Sequence, residues 1–89
     1  MSKAVAATIE LEYPIEFADE EITTIQLRRA TGKDLKMAMK GKNDVEDALA
    51  LAARLSGQLP AVFDLMDAAD VTAVLDEVGK LSLRGQATG

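Results

Sequence analysis

Between positions 7 and 13 the chain alternates strictly: Ala7, Ile9, Leu11 and Tyr13 are apolar or aromatic, and Thr8, Glu10 and Glu12 stand between them. A period of two sends alternate side chains to opposite faces of an extended backbone, so this pattern predicts a strand with one dry and one wet face. Pro14 brings no amide hydrogen to a ladder and is expected to end the strand or lie at its margin. The segment "FADEE", Phe17 to Glu21, reads as part of an acidic loop. After it "ITTIQL", Ile22 to Leu27, resumes in β-branched residues, with Thr23, Ile25 and Leu27 on one face. Two neighbouring strands on a short link predict an antiparallel hairpin, although the link lacks the Asn-Gly or Asp-Gly pair that favours a tight turn.

From Thr31 onward the period is that of a helix. Thr31 and Asp34 have the spacing of a capping box with Asp in place of Glu: the hydroxyl accepts an orphan amide hydrogen bond, and the carboxylate favours the positive end of the helix dipole. The expected helix runs from Gly32 to about Met39, with Leu35, Ala38 and Met39 inward, and stops at Gly41. Asn43 and Glu46 repeat the device ahead of "VEDALALAARLSG", where Val45, Ala48, Leu49, Ala52 and Leu55 share one side and Gly57 supplies a left-handed stop. Pro60 suits a first helical position and predicts a short helical turn.

The last helix carries the clearest stripe, Val71, Val74, Leu75, Val78 and Leu81, with Asp76, Glu77 and Lys80 on its outer side. Met66 is placed to staple onto Val71, and Asp67 with Asp70 makes a third box-like pair. Asp64, Asp67 and Asp70 are read as structural, because each lies near a helix start, where carboxylates serve capping. The expected fold class is therefore α+β: an N-terminal antiparallel hairpin followed by three to four helices in one small domain, residues 1–81. The aperiodic end, "SLRGQATG", residues 82–89, is expected to be disordered.

Composition narrows the chemistry. A chain of 89 residues supports a single small core. It has no Cys and no His, so thiolate chemistry, disulfides, the commonest general base and the commonest metal ligand are all missing. An intracellular, non-enzymatic protein without cofactor or metal is expected. The short apolar run Ala4 to Ile9 is too brief for a secretory signal. The longest uncharged run, Leu55 to Phe63, contains Gly57 and Pro60 and falls well short of the roughly twenty apolar residues of a membrane helix, so no membrane association is expected.

Charge is unevenly placed. Glu10, Glu12, Glu16, Asp19, Glu20 and Glu21 form an acidic stretch without a base, whereas Arg28, Arg29, Lys33, Lys36, Lys40 and Lys42 are interrupted only by Asp34. The plain reading is a set of solvated faces. The sharper one is a basic strip for an acidic partner, formed by Arg28, Arg29, Lys33, Lys36 and Lys40, with the three lysines spaced along one helical side and Met37 as an adaptable apolar contact.

Other chemistries fit poorly. The Gly-Lys of "ATGKD" is no phosphate loop, because that motif requires Gly at the place of Leu27 and Ser or Thr at the place of Asp34. Asp19, Glu20 and Glu21 are not followed by the alternating oxygen ligands and central Gly of a calcium loop. A net charge of −5 and three aromatic residues, Tyr13, Phe17 and Phe63, argue against nucleic-acid binding.

The stretch "LRRATGKDL", Leu27 to Leu35, resembles the most recognisable part of the phage tail assembly chaperone family of Mu-like and related bacteriophages and prophages, in which a strand ending in Leu-Arg turns into a Lys/Arg-Asp-Leu helix start. "IELEYPIEF" is similar to the family's first strand, and "DVEDALALAARLSGQLPAVFDLMDAAD" to its central Ala/Leu-rich helix, Leu-Pro and next helix start. The likeness runs in the same order from about Thr8 to Lys80, with two departures: Ala30 stands where Pro is common, and Ala18-Asp19 where a Gly is frequent.

The resemblance implies a non-enzymatic assembly factor of the host cytoplasm, absent from the finished virion. Its partners would be the tape measure protein, coated and kept from aggregating, and the tail tube protein, gathered around it; self-association is left open. The alternative from another class is a small acidic regulatory module such as an antitoxin or nucleic-acid mimic.

Overall fold

The alternating N-terminal segment forms strand β1, Ala7–Phe17, which pairs antiparallel with β2, Glu20–Leu27; the computed structural model of the protein describes residues 5–41 and 43–82. Four helices follow: α1, Gly32–Ala38; α2, Asp44–Ser56; α3, Pro60–Leu65; and α4, Ala68–Ser82. This is the α+β arrangement that the change of period at Thr31 predicts. The expected disordered end, apart from the helical Ser82, lies outside the described residues.

The hairpin is longer and more irregular than its pattern suggests. Near its base Ala7 faces Leu27 and Ile9 faces Ile25, but toward the tip Ile15 faces Ile22 and Phe17 faces Glu20. Four residues of β1, Leu11 to Pro14, therefore lie between ladder pairs where β2 has only Thr23. Such a bulge interrupts the ladder where Pro14 has no amide hydrogen to give, so Pro14 does not end the strand. Ile9 and Leu11 keep the inward alternation; Tyr13, expected on the same face, is instead turned out by the bulge and is 56% exposed.

The acidic loop also shrinks to two residues. Glu20 and Glu21 belong to β2, and the turn is Ala18-Asp19, with φ of 54° and 66°. Two consecutive left-handed residues give a connection whose twist matches the strands, here built without the usual glycine and at a steric cost of roughly 1–2 kcal/mol per residue.

The helices bury their apolar sides against one another and the hairpin. α2 packs against α1, α3, α4 and β2, while α4 packs against β1. This central position explains why three consecutive residues of α2, Leu51, Ala52 and Ala53, are all buried, of which sequence periodicity selects only Ala52. The small alanines let neighbouring elements come close, and Leu51, with Ile25, Leu27, Val62 and Val74, forms the fully covered centre of the core. Burying each such side chain contributes about 1.5–3 kcal/mol. Val45, expected inward, lies in the first turn of α2 and is 60% exposed.

Local signals set the helix ends as expected. Asn43 accepts the Glu46 amide at 2.8 Å, and Gly57 closes α2 in the left-handed conformation, φ 73°. Pro60 opens α3, which contributes Val62 and Phe63 to the core. On α4, Val74, Val78 and Leu81 are buried and Val71 and Leu75 half-buried. Helix α1 ends at Ala38, where Met39 leaves the helical conformation, so Met39 is exposed rather than inward.

Candidate functional site

The stretch between β2 and α1 is organised by one buried carboxylate. Asp34 receives the Thr31 amide at 2.8 Å while its own amide donates to the Thr31 hydroxyl at 3.3 Å, completing the predicted capping box. Beyond that box, the Arg28 guanidinium donates two hydrogen bonds to Asp34, at 2.6 and 2.8 Å, and Arg54 of α2 donates a third at 3.1 Å. The Arg28 bonds hold the Asp34 carboxyl well below the usual carboxylate range; burial opposes this, and the Thr31 amide and Arg54 reinforce it. The same bonds raise Arg28 above the ordinary arginine value. The Arg28 amide also donates to the Leu55 carbonyl at 3.2 Å, so the end of β2 is tied to the end of α2.

Two more aspartates tie distant elements. Asp70, in the first turn of α4 and 3% exposed, accepts the amides of Glu12 and Tyr13 at 3.0 and 3.1 Å. These are the amides that the β1 bulge removes from the ladder. The sequence pairs Asp67 with Asp70 at the start of α4: Asp67 does cap the helix, accepting the Ala69 amide at 2.9 Å, whereas Asp70 is turned to the hairpin. Asp47 of α2 accepts the Lys40 and Gly41 amides at 3.3 and 3.1 Å and thereby holds the connection between α1 and α2.

This scaffold sorts the five residues of the expected basic strip and the adjoining Met37. Arg29, Lys33, Lys36 and Met37 are exposed together on the β2–α1 connection and α1. Arg28 is turned to Asp34, its side chain 18% exposed. Lys40 lies past the last turn of α1, so it does not continue the helical row of Lys33 and Lys36 as the spacing predicts; the Asp47 carboxylate draws its backbone away from the helix.

A second surface has no counterpart in the sequence reading. Helices α2 and α3 enclose a groove of about 340 Å³ lined by Leu49, Ala50, Pro60 and Phe63, with Glu46 and Asp64 at its polar margin. A sequence signal for it exists in Val45 and Leu49, an apolar pair one turn apart next to Glu46, but its other wall comes from α3. A separate depression, of about 310 Å³, is lined by Arg28, Arg54, Leu55 and Gly57. Among the described residues no group of three or more acidic, His or Cys side chains is placed to hold a metal ion, and no helix is long and apolar enough to cross a membrane.

The domain is thus a hairpin and four helices cross-tied by aspartates, with apolar and charged side chains left exposed. Residues 8–82 match the model of the family described as phage tail assembly chaperone proteins, E, or 41 or 14. The chain belongs to the phage tail assembly chaperone family. Comparison with curated proteins gives no match, and comparison with solved structures gives none either.

Proposed function

We propose that this protein binds the tape measure protein during construction of a phage tail, keeps it from aggregating, and helps recruit tail tube subunits around it in the host cytoplasm before leaving the finished tail. The observation that carries this reading is the family match across residues 8–82, which spans the hairpin and all four helices. It favours the chaperone over an antitoxin or nucleic-acid mimic. The family is generally non-enzymatic, and the role proposed here needs no catalysis.

The surface supports a binding role. Several large apolar side chains are exposed and open to a partner, among them Met37, Met39, Val45, Leu59 and Leu65. Long unbranched methionines adapt to irregular partners. Arg29, Lys33, Lys36 and Met37, with Arg28 and Lys40 at the margins, are the proposed contact for an acidic region of a partner. Co-expression with the tape measure protein tests the function: the two co-purify if it holds, and separate completely if it does not.

A further inference from the structure

The α2–α3 groove combines features that the exposed strip on α1 lacks: a concave apolar floor and an acidic margin. Leu49 and Ala50 are half-buried, Phe63 beneath them is 4% exposed, and Glu46 and Asp64 project from the two helices that form the walls. Val45 lies one turn before Leu49 on the same side of α2, and Leu59 directly precedes Pro60; both are 60% exposed and extend the apolar surface beyond the groove. The side chains of Glu46 and Asp64 enter no ion pair among the described residues.

A segment laid in this groove must cover apolar surface while bringing its margins close to two carboxylates. Those carboxylates are exposed and would repel an acidic segment, whereas Lys or Arg on its flanks would pair with both. An apolar groove between two packed helices suits a helix whose apolar residues recur every third or fourth position. We propose that the α2–α3 groove receives an amphipathic α-helix of the tail protein that this chaperone binds, seated by its apolar stripe and held in register by basic residues over Glu46 and Asp64. This assignment rests on the proposed function, and it gives the protein two contacts of opposite charge preference, the basic strip on α1 and the acidic groove.

The test uses two synthetic helical peptides of about 18 residues, or five turns, with leucines in one stripe, flanked by lysines in one peptide and by glutamates in the other. Titrated into the isotopically labelled full chain at low salt, the lysine peptide is expected to move the amide resonances of Leu49, Ala50 and Phe63 and to bind about tenfold tighter than the glutamate peptide. E46K/D64K should invert this preference and the milder E46Q/D64N should abolish it, with circular dichroism confirming that both variants fold. Equal binding of the two peptides, shifts confined to α1, or occupation of the groove by a second copy of the chain overturns the proposal. E46K/D64K solubilising the tape measure protein as well as the wild type also overturns the groove proposal, while leaving the chaperone function in place. Failure of the wild-type chain to bind the tape measure protein overturns the function instead, and the peptide titration then decides the groove independently.

Discussion

Asp34 and Arg28 meet through two parallel hydrogen bonds, at 2.6 and 2.8 Å, with the Asp34 side chain only 3% exposed. The pair joins the end of β2 to the first turn of α1 and fixes the direction in which the basic strip is presented. Asp34→Ala removes the acceptor of this pair, of the Arg54 bond and of the Thr31 cap together. It should cost about 3–5 kcal/mol, a large share of the stability of so small a domain. Urea unfolding measures this, and a loss below about 1 kcal/mol would show that the pair is solvated and dispensable.

The same pair sets an acid response. The unfolded chain protonates Asp34 as the pH falls through its ordinary value of about 3.9, whereas the folded carboxylate stays ionised to far lower pH. Across that window the unfolded state binds more protons, so stability falls as pH falls. The contribution of Asp34 is complete above about pH 5 and is lost progressively below about pH 4. Unfolding curves between pH 7 and pH 3 should be steeper in pH for the wild type than for Asp34→Asn, by up to about 1.4 kcal/mol per pH unit. Identical slopes would contradict the assignment.

Asp70→Ala should act at a distance. Its carboxylate is the acceptor for the Glu12 and Tyr13 amides, so truncation leaves two donors of the bulge unpaired. The expected cost is about 2–4 kcal/mol. Hydrogen exchange is the specific readout: the Glu12 and Tyr13 amides should lose protection more than those of Ile9 and Ile25, which remain in the ladder core. Uniform loss across the hairpin would mean that the variant destabilises the whole fold without a local role for Asp70.

Lys33 and Lys36 are exposed and in no ion pair among the described residues, so Lys33→Glu with Lys36→Glu should leave unfolding nearly unchanged. If the strip meets an acidic partner surface, the double variant associates more slowly with the tape measure protein and loses much of the salt dependence of association. Stopped-flow association at two ionic strengths reads both effects. An unchanged rate at low salt would remove the strip from the interface.

What the sequence discloses here follows the range of each interaction. The Thr31–Asp34 box spans three residues and is formed as read, Asn43 caps α2 by accepting the Glu46 amide as its half of the second box requires, and the helix stop at Gly57 needs only its own backbone. The Asp70 bonds reach 57 and 58 residues back along the chain to a bulge that no spacing announces, so the local capping role was the natural reading of that residue. Val45 lies on the predicted side of α2 but beyond its covering neighbours, because periodicity gives the direction of a side chain and not what stands opposite. The basic strip was legible as a charge run, whereas the division of labour within it depends on Arg28 turning to Asp34. The groove depends on the pairing of α2 with α3 and becomes visible only in three dimensions.

If this chain acts on the tape measure protein as proposed, the soluble fraction of that protein in cells reports it most directly. The tape measure protein is produced alone, with this chain, and with an unrelated acidic domain of similar size, and each supernatant is resolved by size-exclusion chromatography. Only this chain is expected to move the tape measure protein into the supernatant, and the two are expected to elute as one complex. A tape measure protein that stays insoluble, or that elutes separately from this chain, would contradict the proposed role.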